Sequence, residues 1–426
     1  MRSVRCLRGA RIFGSFTAAL AVAAVLAIAA ALLAPGAHAD PVGELLNPAR
    51  IPADILPTPL DDPFYSPPLG FEKLAPGTVL ASRPGGTPSG TVPVTSTELL
   101  IRSADAKDNP VPVVATLLVP VAPWPGSGPR PLVSYNAAID SLGNKCAPSY
   151  KLRQGSSDKM LETNISLAKG YAVVIPDHEG PRQAYAAGRM AGHAVLDAIR
   201  AAISTPELGL RPDAPVVVTG YSGGAIASGW AAQLAPEYAP DVHLVGAAFG
   251  GVPADFGLLL ATMNGKNAAS GVFLAATLGL AREYPEMLEL MNDNGWRLAR
   301  LGRDMCVNAE GVLGAVAPLT VQTFTDQKAP TELPMVKRIL AENRLGASAP
   351  TVPVFLYHGA NEFWIPLASA TNLYHDWCGQ GAQVRLEVYL GEHSVVGLSG
   401  IPGATGWIED RFTGKPAPTG CSSFGL

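Results

Sequence analysis

The chain has 426 residues, a formal net charge of −4, 48% hydrophobic residues and 15% charged residues. So much hydrophobic sequence with so few charges excludes an intrinsically disordered protein. A mildly acidic chain also has no electrostatic basis for binding nucleic acid. The length is sufficient for a large core that carries an insertion.

The first 39 residues are typical of a secretory signal peptide. They contain four arginines and no acidic residue, then an apolar run over 18–34, and they end in Ala37-His38-Ala39. A membrane anchor is the alternative, but an A-x-A site and a proline-rich, polar sequence follow the apolar run. We therefore expect a secreted protein that is cleaved after Ala39.

The sequence after the predicted signal peptide begins with a proline-rich stretch over 40–77, which predicts an irregular N-terminal arm. Short β-rich runs follow at 96–102 and 111–120, and apolar strands then alternate with helical segments. This alternation predicts an α/β fold in which helices flank a mostly parallel sheet. The predicted strands after residue 130 are Pro131–Tyr135, Tyr171–Pro176, Pro215–Thr219, Leu244–Phe249, Val352–His358 and Val384–Tyr389.

Helical patterns separate these strands. Leu196, Ile199 and Ile203 recur at helical spacing in one long stretch, and another helix is predicted after Pro366. The alternation stops between about 252 and 350, where short helices and no βαβ pattern are indicated. We predict an inserted helical cap or lid there, because loops of this length usually serve function; ordinary core helices are the alternative. The predicted organisation is a signal peptide at 1–39, a first core part with the arm at 40–251, the cap at 252–350 and a second core part at 351–426.

The strongest functional motif is Gly220-Tyr221-Ser222-Gly223-Gly224. It follows an apolar run and precedes a helix-compatible segment, which is the context of a nucleophile elbow. A strained strand-to-helix turn lifts the serine hydroxyl above the sheet, and small residues on either side let the backbone pass close to its neighbours. We predict Ser222 as the nucleophile and the backbone N–H of Gly223 as one oxyanion donor.

A serine needs a base to become a good nucleophile. In α/β folds with a nucleophile elbow, the chain order is serine, acid, histidine. Three of the seven histidines follow Ser222 beyond the predicted cap. His358 falls in or at the end of a strand and His375 on a helix. His393 follows the last predicted strand in a loop, so we predict it as the base.

The acid should follow the penultimate strand. Glu362 is the only carboxylate in the segment 357–366 that occupies this place. A buried carboxylate there would fix the imidazole tautomer and stabilise the imidazolium ion. We predict Glu362 as the acid, with Asp376 or another acid as the alternative.

Four cysteines follow the predicted signal peptide: Cys146, Cys306, Cys378 and Cys421. An even number in an exported chain predicts two disulfides, and three pairings are allowed. None of them has metal-ligand spacing. We interpret Asp177-His178-Glu179-Gly180 as structural, with His178 hydrogen-bonded near the floor of the active site, because no further ligands cluster nearby. We expect neither a metal nor a cofactor.

Five motifs occur together in this chain: Ser134-Tyr135-Asn136 leading to Asp140, Cys146-Ala147-Pro148-Ser149-Tyr150, Asp177-His178-Glu179-Gly180, Gly220-Tyr221-Ser222-Gly223-Gly224 and Gly391-Glu392-His393. With them, the chain resembles the secretory lipase family, the lipase A type of α/β hydrolase found in fungi and actinobacteria. The resemblance covers most of the mature chain and is far more specific than the elbow alone.

The resemblance implies an α/β-hydrolase fold with Ser222 as the nucleophile and His393 as the base. The family's acid is usually an aspartate four residues before a proline, and this chain departs from that pattern with Glu362. The second oxyanion donor would come from Asp140. Since an ionised carboxylate would repel an oxyanion, Asp140 must use its backbone N–H or be protonated. The disulfide pairing implied by the resemblance is Cys146–Cys306 and Cys378–Cys421.

The expected function is that of a secreted serine hydrolase. It would cleave carboxylic esters, with triacylglycerols or other lipid esters as substrates, through an acyl-enzyme on Ser222. A short-chain carboxylesterase or an acyltransferase with the same triad is the alternative, whereas a non-enzymatic binding protein would require the three residues to co-occur by coincidence. The expected partner is a lipid or ester substrate; contact with a lipid–water interface stays open, and the sequence does not determine the oligomeric state.

Overall fold

The computed structural model describes residues 48–156, 161–205 and 209–425. Residues Ile51–Leu426 form one compact unit. The predicted signal peptide and its cleavage site lie outside the described residues. No helix in the described ranges combines the length and the apolar character that crossing a membrane would require.

Within those ranges, ten strands form a single sheet in the order β1-β2-β3-β5-β4-β6-β7-β8-β9-β10. The first three strands and β5 pair antiparallel, and all pairs from β5 to β10 are parallel. This confirms the predicted mostly parallel sheet. The strands are β1 Val79–Pro84, β2 Val94–Ala104, β3 Pro110–Pro120, β4 Leu132–Asn136, β5 Ala172–Pro176, β6 Val216–Tyr221, β7 Leu244–Gly250, β8 Val354–Gly359, β9 Val384–Tyr389 and β10 Ser422–Phe424.

The central parallel strands are visible in the sequence because they are buried on both faces. All residues of β4, β5 and β8 are buried, so these strands are recognisable as short apolar runs. The edge strands β1 and β10 were not predicted. β1 is half-exposed and ends in a proline, and β10 has three residues, so neither produces a clear apolar pattern.

Helices cover both faces of the sheet. Along β6, Val216 and Val218 belong to one buried hydrophobic cluster and Val217 to the other, as alternating side chains of a strand require. The helices outside the β7–β8 connection are α1 Pro148–Arg153, α2 Leu161–Ala168, α3 Gly188–Ile203, α4 Gly223–Tyr238, α10 Leu367–Gly379, α11 His393–Ser399 and α12 Ile401–Phe412. The predicted helix at Leu196, Ile199 and Ile203 is α3, whose residues are almost all buried.

The long connection between β7 and β8 is helical. It contains α5 Phe256–Met263, α6 Ala269–Glu283, α7 Asp293–Gly302, α8 Val307–Val316 and α9 Pro334–Glu342. Phe256, Phe273 and Trp296 in this connection join the hydrophobic cluster that covers one face of the sheet. Helices α6 and α8 pack backbone to backbone, because a Cβ on Gly271 would lie 1.9 Å from the Glu310 carbonyl oxygen.

Candidate active site

Ser222 lies in a strained turn between β6 and α4. Its φ of 57° and ψ of −121° place a non-glycine residue in a sparsely populated backbone region. A Cβ on Gly220 would lie 2.5 Å from the Gly224 carbonyl oxygen, and a Cβ on Gly224 would lie 2.0 Å from the Asn136 carbonyl oxygen. Larger residues at either position would therefore clash, which is the physical reason for the glycines around the serine.

The imidazole of His393 bridges Ser222 and Glu362. The Ser222 Oγ lies 2.9 Å from His393 Nε2, and His393 Nδ1 lies 2.6 Å from Glu362 Oε2. The other carboxylate oxygen of Glu362 accepts hydrogen bonds from the backbone N–H groups of Trp364, at 2.8 Å, and Ile365, at 3.3 Å. A continuous hydrogen-bond chain thus runs from a fixed carboxylate through the imidazole to the serine.

The environment of Glu362 favours its charged form. Burial raises the pKa of this carboxyl group, but the hydrogen bond and charge of His393 and the amide of Trp364 outweigh burial, so the pKa is lowered overall. The side chain of Glu362 is fully buried. It is therefore an ionised acceptor that holds the Nδ1–H tautomer of His393.

His393 sits at the first residue of α11, not in a loop as predicted. The Glu392 carboxylate caps this helix by accepting from the amides of Ser394, at 3.0 Å, and Val395, at 2.9 Å. The Tyr221 hydroxyl donates to the His393 carbonyl oxygen at 2.7 Å. These contacts fix the backbone at His393 and at the two residues that follow it.

The competing candidates lie elsewhere. His358 is buried in β8, where its Nε2–H donates to the Ile365 carbonyl oxygen at 2.9 Å. Burial lowers the pKa of His358. His375 and Asp376 are on α10, and the Asp376 carboxylate forms an ion pair with Arg344 at 2.5 Å. Asp376 is thus engaged with a cation, and Glu362 is the carboxylate that contacts His393.

Asp140 lies directly beside the elbow. It has a positive φ of 47° and is 7% exposed, and a Cβ on Gly223 would lie 1.6 Å from its Oδ1. Its carboxyl group therefore covers Gly223, and the Tyr185 hydroxyl hydrogen-bonds to it. The backbone amides of Asp140 and Ser141 face the carboxyl group of Glu179.

Two further buried carboxyl groups lie near Asp140. Burial, followed by the charge of Asp140, raises the pKa of Glu179 well above its usual value. Burial and the charges of Glu179 and Asp140 do the same for Glu310 on α8. Among the described residues, neither group has a side-chain oxygen in a hydrogen bond of standard geometry.

The segment Asp177–Gly180 makes structural contacts. Asp177 accepts from the Ser149 amide at 2.9 Å and hydroxyl at 2.5 Å, and burial raises the pKa of Asp177 to about 7. His178 Nε2–H donates to the Ala137 carbonyl oxygen at 2.8 Å, and burial lowers the pKa of His178 to about 4. Across the described part of the chain, no group of three or more His, Cys, Asp or Glu side chains is arranged to hold a metal ion.

Two disulfides are present in the part of the chain that the structure describes. Cys146–Cys306 joins the segment after β4 to the start of α8, with a Cα–Cα distance of 5.5 Å. Cys378–Cys421 joins α10 to the segment before β10, with a Cα–Cα distance of 6.1 Å. Both match the pairing that the family resemblance implies.

A cavity opens at Ser222 and His393. Asp140, Tyr185 and Trp364 contribute to its wall, and apolar side chains of α5 and α6 supply most of the remainder. A second cavity is lined almost entirely by apolar residues of the β7–β8 connection. The residues common to both linings are Phe256, Phe273 and Ala276. The two cavities are therefore neighbours, separated by these side chains.

Sequence reasoning did not single out Tyr185 or Trp364 as site residues. The Trp364 ring lies 5.2 Å from the His393 imidazole, and its position two residues after Glu362 was the available signal. Tyr185 follows the Asp177–Gly180 motif in the sequence, but nothing in its sequence separation from that motif indicates a role in the site. Its role depends on a turn that returns the chain to Asp140.

The chain is similar to known lipases in sequence and in overall structure. Residues 156–420 match the family model described as secretory lipase. A probable inactive lipase of Mycobacterium tuberculosis is 36% identical over 378 residues, covering 84% of this chain and 83% of that protein. A secreted triacylglycerol lipase of Malassezia furfur is 34% identical over 388 residues, covering 86% and 82%. The X-ray structure of Candida antarctica lipase A has a TM-score of 0.80 at 29% identity, covering 87% of this chain and 90% of that one.

The sheet order, the strained serine after β6 and the hydrogen-bonded histidine after β9 define the chain as an α/β hydrolase. It belongs to the secretory lipase family, and it is accordingly a secreted carboxylic ester hydrolase. The name of the mycobacterial relative describes an inactive protein.

Proposed function

We propose that this protein hydrolyses triacylglycerols and other long-chain lipid esters through an acyl-enzyme on Ser222. The observation that carries the proposal is the hydrogen-bond chain Ser222–His393–Glu362 at the opening of an apolar cavity. A polar catalytic centre beside an apolar compartment suits a substrate with a polar ester and a long hydrocarbon chain. The name of the Malassezia furfur relative supports the triacylglycerol assignment.

In the proposed mechanism, His393 Nε2 takes the proton of Ser222 Oγ as this oxygen attacks the ester carbonyl carbon. Glu362 stays ionised and stabilises the resulting imidazolium ion. The imidazolium then gives its proton to the departing alcohol oxygen as the tetrahedral intermediate collapses. Water repeats the sequence on the acyl-enzyme, releasing the fatty acid and restoring Ser222.

The oxyanion would be met by the backbone N–H of Gly223 and by Asp140. Of the two ways in which Asp140 could donate, we favour its protonated carboxyl group. The backbone amide of Asp140 faces Glu179, whereas the side-chain Oδ1 of Asp140 lies over Gly223. The two donors would then lie on the same side of the Ser222 hydroxyl.

The acyl chain would extend from the cavity at Ser222 past Phe256 and Phe273 into the second cavity. Residues 252–350 would then be the cap that encloses it. With this path, the residues that determine which acyl-chain length is preferred would lie on the face of α6 that carries Ala276. Gly271 and Ala275, small residues on the same helix, are outside both linings, and Gly271 is pressed against the backbone of α8.

Substituting Ala276→Leu is expected to shift the preference toward shorter acyl chains. Each buried methylene contributes about 0.8 kcal/mol, so displacing two from the cavity should lower kcat/KM for the palmitate ester about tenfold relative to butyrate. The measurement is the ratio of kcat/KM across a series of nitrophenyl esters. Ala275→Leu is the matched control, because Ala275 and Ala276 are both 4% exposed on one helix. Equal palmitate-to-butyrate ratios in the two variants would contradict an acyl site here.

The same ester series separates the alternatives. A short-chain carboxylesterase would lose activity as the acyl chain lengthens, and an acyltransferase would form a new ester when an alcohol is added with the substrate. A preference for long chains, with free fatty acid as the product, supports the lipase assignment. The apolar cavities are the specific reason for expecting this outcome.

The N-terminal boundary is a further proposal. The A-x-A pattern before Asp40 supports cleavage after Ala39. N-terminal sequencing of the protein recovered from the culture medium should begin at Asp40. A different first residue would relocate the cleavage site, and recovery of the uncleaved chain with the membrane fraction would favour an anchor.

A further inference from the structure

Arg282, near the end of α6, is 4% exposed. It contacts the loop that contains Asp140, the second candidate donor of the oxyanion hole. Its guanidinium group donates to the backbone carbonyl oxygens of five residues, which come from four separate segments of the chain. These acceptors are Ile55 at 2.9 Å, Leu142 at 2.7 Å, Arg182 at 3.1 Å, Gln183 at 3.2 Å and Arg303 at 2.8 Å. A planar group with five N–H donors suits this task, which a lysine cannot reproduce.

The charge of Arg282 is balanced at longer range. Burial lowers the pKa of Arg282 to about 10, while the charges of Glu179, Asp304 and Glu310 raise it. The side chain therefore remains a cation near neutral pH. Within the described ranges, the five hydrogen bonds of the guanidinium group go to carbonyl oxygens and none goes to a carboxylate. Burying a cation in this way is costly, and apolar residues could supply equal or greater stability. Its position thus suggests a role beyond packing.

The first loop that Arg282 holds contains Asp140. Leu142 accepts from Arg282 and donates its own amide to the Met305 carbonyl oxygen at 2.9 Å. The Ser141 hydroxyl oxygen accepts from the amide of Val307 at 3.0 Å. The residues immediately after Asp140 are therefore attached to α6 and to the start of α8.

The second loop that Arg282 holds contains Tyr185. The carbonyl groups of Arg182 and Gln183 accept from the same guanidinium nitrogen that binds Leu142. The Tyr185 hydroxyl, two residues further on, hydrogen-bonds to Asp140 and lines the cavity at Ser222. One guanidinium group thus positions both the backbone that carries Asp140 and the side chain that contacts it.

We propose that Arg282 is a positioning residue for the oxyanion hole. It keeps the Asp140 carboxyl group over Gly223 by holding the loops of Leu142 and Gln183 at a fixed separation. The inference rests on the proposed function, because it assumes that Asp140 stabilises the oxyanion. It predicts that disturbing Arg282 weakens transition-state binding more than substrate binding.

The test compares Arg282→Lys with the parent on nitrophenyl butyrate. Lysine keeps the charge but cannot bind both loops, so kcat should fall roughly 10- to 100-fold. This is somewhat less than the 10²- to 10³-fold cost of deleting an oxyanion donor. KM should stay within about twofold, because ground-state binding does not use the oxyanion hole. The inhibition constant of a phenylboronic acid, whose tetrahedral adduct on Ser222 occupies the oxyanion hole, should rise in parallel with the loss in kcat.

Arg411→Lys is the matched control. Arg411 is 9% exposed on α12 and also donates to a backbone carbonyl, that of Lys415 at 2.8 Å. It should lower the melting temperature without lowering kcat. Parental kcat and boronate affinity in Arg282→Lys would overturn the proposal, as would an equal loss of kcat in Arg411→Lys.

Ser141→Ala covers the case in which Arg282→Lys does not fold. This variant removes the acceptor of the Val307 amide while Arg282 stays in place. We expect kcat to fall about three- to tenfold at constant KM, since one attachment of the Asp140 loop is lost while the others remain. An unchanged kcat would overturn the proposal. Hydrolysis by the parent, measured alongside Ser222→Ala, reports on the proposed function independently of these variants.

Discussion

Replacing Ser222 with alanine is expected to lower kcat on any ester substrate by roughly 10⁴- to 10⁶-fold, as in other serine hydrolase triads. The variant lacks the atom that forms the acyl-enzyme, so only catalysis by the oxyanion hole and by binding remains. Single-turnover measurement on a nitrophenyl ester gives the residual rate. Alanine at this position keeps a Cβ in the same strained backbone conformation, so folding should be close to that of the parent.

Covalent labelling separates loss of the nucleophile from loss of the fold. A phosphonate ester should modify the parent at Ser222, and peptide mapping should locate the adduct in the Gly220–Gly224 segment. Ser222→Ala should remain unlabelled while keeping the melting temperature of the parent. Labelling of the variant at a comparable rate would mean that another residue is the nucleophile.

Replacing Glu362 with glutamine is expected to lower kcat by about 10³- to 10⁴-fold. The amide preserves the shape of the side chain but can present an N–H to His393 Nδ1. The favoured tautomer would then carry its proton on Nε2, which could no longer accept from Ser222. The negative charge that stabilises the imidazolium ion is lost as well. KM should change little, because Glu362 does not line the cavity at Ser222.

Asp376→Asn is the control for this prediction. Asp376 was the alternative acid in the sequence analysis, and in the structure it lies on α10 and forms an ion pair with Arg344. Its loss should leave kcat near the parental value, since surface ion pairs contribute little to stability and this one does not contact His393. Near-parental activity in Glu362→Gln together with a large loss in Asp376→Asn would transfer the role to Asp376.

Glutamate at position 362, where the family usually has an aspartate, uses both of its carboxylate oxygens. One Glu362 oxygen contacts His393 while the other accepts from the amides of Trp364 and Ile365. The substitution is therefore accommodated within the same loop after β8.

The sequence alone was sufficient for the parts of the protein that depend on local patterns. The buried strands β4 to β9 were predictable because apolar runs of this length must be covered on both faces. The elbow around Ser222 was predictable because its glycines are required by close backbone contacts within a few residues. The chain order of nucleophile, acid and base followed from the topology, and the family motifs implied the pairing of the four cysteines.

Only the tertiary structure decided what depends on contacts between distant segments. Sequence position favoured Glu362 but left Asp376 as an alternative, because only the folded chain shows which carboxylate contacts His393. It could not show which face of α6 lines a cavity, since the helix is apolar on most sides. Arg282 has no local motif: its acceptors are spread from Ile55 to Arg303, and they meet at one guanidinium group because the fold brings the arm, two core loops and the helical insert together.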